Sequence, residues 1–111
     1  MAGLSAIDLD PQYLEKFKSG IRDIIKINVP QKTLDSVIEN EISHLTKIDV
    51  ISIDVEGGEL NVMKGLNLEK YKPTLLVIEN VFDNLDYLNY LKEHGYRLDK
   101  QIDYNQYYIR E

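Results

Sequence analysis

Acidic and amide side chains follow two apolar stretches of the sequence, at the point where each stretch ends. Asp54 and Glu56 interrupt the stretch ISIDVEGGE, and Glu79 and Asn80 end the stretch TLLVIEN. Grouped oxygen atoms of this kind suit a hard cation such as Mg²⁺, or a base that accepts a proton from a hydroxyl group. They also have a structural interpretation, because strand ends tolerate polar turns and acidic residues favour helix starts. Spacing alone leaves both interpretations open.

These side chains meet only if the two stretches are neighbouring strands. Residues 50–53 belong to a β-branched run that is typical of a strand buried on both faces, and residues 74–78 form a second apolar run. A helix that carries Leu60 and Met63 and stops at Gly65 separates them. Strand–helix–strand connectivity places both carboxyl ends on one edge of the sheet, where open α/β sheets bind ligands.

Apolar spacing, glycine and proline predict further elements around this unit. A helix is predicted from Asp10-Pro11 to Gly20, followed by a half-buried strand over 25–29 and a helix capped by Thr33, whose apolar face is Leu34, Val37, Ile38 and Ile42. After the second strand of the unit, a helix has Leu85, Leu88 and Leu91 on one side and Gly95 as its cap. Two strands over 96–111 then flank a turn near 103–105. The predicted fold is α/β, with a parallel centre and an antiparallel C-terminal hairpin, in one domain over 1–111.

Composition and charge exclude several classes of protein. The chain has 111 residues and no cysteine, which excludes disulfides, thiolate chemistry and cysteine zinc sites. A net charge of −6 with scattered Lys and Arg argues against a nucleic-acid partner. No apolar run approaches the roughly 20 residues that span a bilayer, and the N-terminus lacks a secretion signal. We expect a cytoplasmic protein without a membrane partner.

The remaining candidates have simpler structural explanations. His44 and His94 lie at predicted helix ends, and the tyrosines of the tail favour strand packing. Gly57-Gly58 is better explained as a turn than as a phosphate cradle. The six glycines never form G-x-G-x-x-G or a P-loop, the usual means by which such a sheet holds a nucleotide-like cofactor.

Four ordered segments resemble the FkbM family of S-adenosylmethionine-dependent methyltransferases. They are VPQKTLDSVIE (29–39), IDVISIDVEGGELNVMKGL (48–66), YKPTLLVIENV (71–81) and LKEHGYRL (91–98), and the resemblance covers about residues 24–111. It implies a partial Rossmann-like class I methyltransferase sheet, of which this chain forms the C-terminal portion, with residues 1–23 as an N-terminal helical extension. The family's cofactor loop lies on earlier strands, so the resemblance assigns no cofactor-binding residue here.

The resemblance also implies an activity and residue roles. The expected reaction is O-methylation of a hydroxyl on a small-molecule acceptor, a sugar or a secondary metabolite, with S-adenosylmethionine as donor. Asp54 and Glu56 are the expected catalytic residues, and Asp54 orients or deprotonates the acceptor hydroxyl, directly or through Mg²⁺. Glu59, Glu79 and Asn80 are expected to bind the acceptor.

The missing glycine loop keeps a second class of function open. The chain could be a non-catalytic α/β remnant that acts as an assembly or binding module. A half sheet exposes a strand edge, which usually pairs with another strand. We therefore expect a homo-oligomer, or a partner chain that completes the sheet, under either hypothesis.

Overall fold

The computed structural model describes residues 27–111. Its elements are helix α1 (Leu34–Glu41), strand β1 (Val50–Ile53), helices α2 (Glu59–Lys64) and α3 (Leu68–Tyr71), strand β2 (Leu75–Glu79), helix α4 (Leu85–Glu93), and strands β3 (Tyr96–Ile102) and β4 (Asn105–Arg110). The predicted helix over 10–20 and the predicted extension over 1–23 lie outside the described residues. Within these residues, no helix is long and apolar enough to cross a membrane.

The four described strands form one mixed sheet in the order β1-β2-β4-β3. Strands β1 and β2 are parallel, with Ile53 opposite Ile78, and the crossover between them contains α2 and α3. Strand β4 lies antiparallel to both of its neighbours, β2 and β3. The predicted α/β class and C-terminal hairpin are confirmed, and the parallel part of the described sheet is the β1–β2 pair.

The core lies around β2 and the helices that cover it. Leu76 and Ile78 of β2 are fully buried, as are Leu91 of α4 and Tyr108 of β4. The other buried apolar residues of the core are Ile38, Ile53, Met63, Leu66, Leu68, Tyr71, Tyr87 and Tyr96. Strand β2 pairs with β1 on one side and with β4 on the other, so its end lies beside the end of β1 and the start of β4.

The predicted strand over 25–29 is wrong for its described part. Residues 27–29 form no strand, and Ile27 and Val29 are 77% and 65% exposed. Alternation of apolar and polar residues indicates a strand only where a neighbouring strand supplies hydrogen bonds and a face to bury. No described strand pairs with residues 27–29.

The predicted burial of β1 on both faces is also wrong. Ile53 is buried, but Val50 is 57% exposed and Ser52 is exposed as well. Val50 and Ser52 lie on one face of β1, which is exposed, whereas Ile51 is half-buried and Ile53 is buried on the other face. The β-branched run correctly predicted a strand but wrongly predicted that both of its faces are buried.

Two predicted helix boundaries are confirmed by their capping geometry. The Thr33 side chain accepts a hydrogen bond from the backbone N–H of Ser36 at 3.1 Å, as an N-cap does. Gly95 follows α4 with φ of +86°, the left-handed conformation common after a helix end. The predicted apolar face of α4 is only partly right, since Leu85 is 68% exposed whereas Tyr87 and Leu91 are buried.

Candidate functional site

The carboxyl ends of β1 and β2 bring Asp54 and Glu79 together. Asp54 follows Ile53, which pairs with Ile78, and Glu79 follows Ile78. One oxygen atom each from Asp54, Glu79 and Glu59 lie within 4.8 Å of one another. The strand tips therefore meet as the connectivity predicts, and they form an acidic group that we call the carboxylate cluster.

The Glu79 side chain holds its proton more firmly than an ordinary carboxyl group. Partial burial is the main cause, followed by a hydrogen bond with Asp54 and by the charges of Asp54, Glu59 and Glu56; together they raise the pKa of Glu79 to about 7. Two carboxyl groups can be joined by a hydrogen bond only when one of them carries a proton. Near neutral pH, the Glu79 carboxyl group can therefore both hold and release a proton beside Asp54.

Glu56 stands beside this pair in a constrained backbone conformation. Its φ is +57°, a left-handed value that costs a non-glycine residue about 1 kcal/mol. Its Oε2 atom is buried and makes no hydrogen bond with any described residue. Burial, and then the charges of Asp54 and Glu59, raise the pKa of the Glu56 carboxyl. The loop thus holds a third carboxyl group close to the pair at an energetic cost.

Glu59, at the start of α2, is buried to 1% exposure and ties this loop together. Its carboxylate accepts hydrogen bonds from the backbone N–H groups of Val55 at 2.8 Å and Gly57 at 3.2 Å, and from the Tyr87 hydroxyl at 2.9 Å. The structure therefore gives Glu59 a positioning role in the loop over 54–58. Direct contact between Glu59 and an acceptor stays a prediction.

Asn80, after β2, has a similar positioning role on the other side. It is 4% exposed, and its side-chain oxygen accepts a hydrogen bond from the N–H of Asn84 at 2.8 Å. Its amide nitrogen donates to the Asn84 carbonyl at 3.0 Å and to Oε1 of Gln106 at 3.1 Å. Gln106 also accepts from the Tyr108 hydroxyl at 2.6 Å. Asn80 therefore fixes the loop that leads into α4, and its contact with an acceptor stays a prediction.

A cleft of about 450 Å³ opens beside the strand tips. It lies between the loop after β1 and the start of α4, and its volume falls in the range of small-molecule sites. Its lining residues are Gly57, Asn80, Phe82, Asp83, Asn84, Leu85 and Tyr87. Gly57 and Asn80 belong to the two strand-tip loops, so the cleft is continuous with the loops that carry the carboxylate cluster.

The residues that could ligate a metal ion are Asp54, Glu59 and Glu79. Both Glu59 oxygens already accept hydrogen bonds from the protein, and Glu79 binds a proton near neutral pH. Glu79 Oε1, however, is buried and has no hydrogen-bond partner among the described residues, so the interactions of these residues do not fill every ligand position of the cluster.

The described residues contain no glycine-rich loop of the G-x-G-x-x-G type. The glycine pair after β1 is the nearest feature to a nucleotide loop. A Cβ atom on Gly58 would lie 3.5 Å from the Val55 side chain, an ordinary contact, so Gly58 is not packed tightly enough to require glycine there. No described strand is followed by the glycine-rich turn that such cofactors use.

The family of the chain follows from a comparison of its sequence with protein-family profiles. The sequence profile of the methyltransferase FkbM domain matches residues 3–98. The chain belongs to this family. The FkbM match includes both strand tips, the carboxylate cluster and the cleft, and it ends within β3, so Gln106 lies beyond it. No curated protein and no solved structure shows significant similarity to the chain.

Two residues that shape the site are absent from the sequence predictions, Tyr87 and Gln106, whereas Tyr108 was predicted only to pack as one of the tail tyrosines. Tyr87 lies four residues before Leu91 and shares its buried face, so helical spacing contained the signal. Gln106 and Tyr108 alternate along β4 on the buried side. A glutamine gives no local sign of being buried, because only the fold brings Asn80 to its side.

Proposed function

We propose that the chain carries the acceptor side of an S-adenosylmethionine-dependent O-methyltransferase, in which the Asp54–Glu79 pair takes the proton from the acceptor hydroxyl. The family match supports methyl transfer. The observation that supports the choice of a hydroxyl acceptor is the pair of carboxyl groups at the ends of β1 and β2, whose oxygen atoms lie within 4.8 Å of each other.

The chemistry of the reaction explains why such a pair is useful. When bound, S-adenosylmethionine supplies a methyl group activated by its positive sulfur. A neutral hydroxyl is a weak nucleophile, and a base that removes its proton strengthens it. A base is most effective when its pKa lies near the working pH, and the pKa of Glu79 is raised to about 7.

The three acidic residues of the strand tips have separate tasks in this proposal. Asp54 is exposed, so its carboxylate can reach an acceptor from solvent, and Glu79 passes or stores the proton behind it. Glu56 adds negative charge that keeps the proton affinity of the pair high. Asn80 and Glu59 hold the two loops in place, and the alignment they provide contributes to the rate.

Calorimetry and a transfer assay test the proposal in sequence. The 111-residue chain is tested first for S-adenosylmethionine binding, because its sequence lacks the glycine-rich loop that usually holds a nucleotide-like cofactor. Failure to bind at millimolar concentration contradicts methyl transfer by the chain alone. If it binds, release of S-adenosylhomocysteine is measured with a panel of hydroxylated acceptors.

Variants of the pair then test the catalytic assignment. Asp54→Asn removes the base while preserving size, and we expect at least about a hundredfold loss in transfer rate. The matched control is Asp49→Asn, an exposed aspartate before β1 and at the opposite end of that strand. An Asp54→Asn variant that keeps full activity contradicts the role of Asp54.

We also propose that a second copy of the chain pairs with the edge of β1 on which no described strand lies. Strand β1 has no described strand on its outer side, and Val50 there is 57% exposed. An unpaired edge with an apolar residue favours association, which also suits an assembly module. Light scattering after gel filtration should show a dimer that Val50→Lys dissociates; a monomeric wild-type chain contradicts this proposal.

A further inference from the structure

The cleft beside the carboxylate cluster has a negative lining and surroundings. Among the seven lining residues that the structure describes, Asp83 is acidic and none is Lys, Arg or His. Asp86 is exposed in the first turn of α4, and Asp54, Glu56 and Glu79 stand on the adjoining strand tips. Charges of one sign around a concave site repel ligands of the same sign.

The cleft also lies at a helix N-terminus that is already occupied by the protein's own groups. The start of α4 would favour an anion by its dipole alone. The Asn84 side chain accepts the N–H of Asp86 at 2.9 Å, and the Asp83 and Asp86 carboxylates flank the same turn. A phosphate or carboxylate ligand would therefore meet two carboxylates and a capped helix end.

The remaining lining suits a ligand with both hydroxyl groups and an apolar face. Phe82 and Leu85 supply apolar surface, and Leu85 is 68% exposed at the helix start. Asn84 uses its side-chain oxygen for the cap, and no described residue accepts a hydrogen bond from its amide nitrogen. Because Asn80 and Gln106 fix the loop from inside, the cleft is formed before any ligand arrives.

We propose that this cleft binds the methyl acceptor, and that it takes uncharged or amine-bearing hydroxylated molecules while excluding phosphorylated and carboxylated ones. That the molecule bound in the cleft is the methyl acceptor rests on the proposed function, but the charge selectivity is a property of the cleft alone. It can therefore be measured without S-adenosylmethionine.

Four sugars that differ in charge are suitable probes: methyl glucoside, glucosamine, glucuronate and glucose 6-phosphate. Each is titrated into ¹⁵N-labelled chain, and amide shifts of Asp83, Asn84 and Leu85 report binding in the cleft. We expect the neutral and amino sugars to shift these amides, and the two anions to bind about tenfold more weakly or less. Added salt should narrow the difference, because it screens the repulsion.

A pair of variants locates the source of the selectivity. Asp83→Asn combined with Asp86→Asn should bring glucuronate within about threefold of methyl glucoside. Glu93→Gln, which removes a carboxylate from the far end of the same helix, should leave the selectivity unchanged. Equal binding of the anions by the wild-type chain, or no shift in these three amides with any probe, overturns the inference. Failure to bind S-adenosylmethionine bears only on the proposed function.

Discussion

The Tyr87 hydroxyl donates a hydrogen bond to Oε1 of Glu59 at 2.9 Å and thereby joins α4 to the loop that follows β1. Both residues are buried, to 4% and 1% exposure. A buried carboxylate is stable only when donors surround it, and here two of the three donors are backbone N–H groups of the loop itself. The loop that carries Asp54 and Glu56 is thus shaped around a buried negative charge.

Tyr87→Phe should lower the free energy of unfolding by about 1–2 kcal/mol, because it removes one donor from a buried carboxylate and keeps the ring. Urea unfolding measures the loss. Amide exchange at Val55, whose N–H also bonds to Glu59, should become faster. The matched control is Tyr107→Phe, a half-buried tyrosine of β4 that should change stability little. Equal effects of the two substitutions would contradict a specific role for the Tyr87 hydroxyl.

Glu79 should make the protein less stable as the pH rises. Its pKa is raised from 4.5 to about 7, so between these values the folded chain binds more protons than the unfolded chain. The free energy of unfolding therefore falls as pH rises from about 4.5 to about 7, and levels off above. The full shift would correspond to about 3 kcal/mol, and screening by water reduces the expected contribution to about 1 kcal/mol.

Urea titrations at several pH values measure this slope. In Glu79→Gln we expect a flatter slope and a more stable protein at pH 8 than the wild type. Glu93→Gln, on the exposed end of α4, serves as the control and should keep the wild-type slope. An unchanged slope in Glu79→Gln would show that the carboxyl pair does not share a proton near neutral pH.

Asn80→Ala should cost about 2–3 kcal/mol of stability, since it leaves the Asn84 N–H and the Gln106 side chain without their buried partner. The comparison is Asn61→Ala, at an exposed position of α2, which should lie within about 0.5 kcal/mol of the wild type. Thermal and urea unfolding measure both. A small effect at Asn80 would mean that water readily replaces its hydrogen bonds.

Substitution by alanine should destabilise the protein at Gly95 but have little effect at Gly58. Gly95 has φ of +86° with open space around it, so Gly95→Ala should cost about 1 kcal/mol through the backbone alone. Gly58 has φ of −97° and an ordinary contact to Val55, so Gly58→Ala should stay within about 0.5 kcal/mol of zero. Equal losses would show that the loop before α2 needs glycine for another reason.

Local patterns were sufficient to predict most described elements. Thr33 before an apolar periodicity marked the start of α1, and Gly65 and Gly95 marked the ends of α2 and α4. The meeting of Asp54 and Glu79 followed from the rule that parallel strands end on one edge. Residues 27–29 show the limit, because a strand depends on neighbours that a local pattern does not contain.

The positioning residues could not be predicted for the same physical reason. The family resemblance implied that Glu59 binds the acceptor, yet its carboxylate is buried and accepts a hydrogen bond from Tyr87, 28 residues away. Asn80 is satisfied by Gln106, 26 residues further along the chain. Burial of a polar side chain is decided by distant partners, whereas charge and spacing are visible locally.

The order of the strands in the sheet differs from the order in which the ribosome makes them. Strand β4 is made last among the described elements, yet it lies between β2 and β3 and places Gln106 beneath Asn80. The edge of β2 therefore stays unpaired while α4 and β3 are synthesised. A nascent chain that has emerged only as far as β3 contains Asp54 and Glu79 but not Gln106. The hydrogen bond from Asn80 to Gln106, which orders the loop after β2, therefore forms only once β4 is made, and the cleft is complete only then.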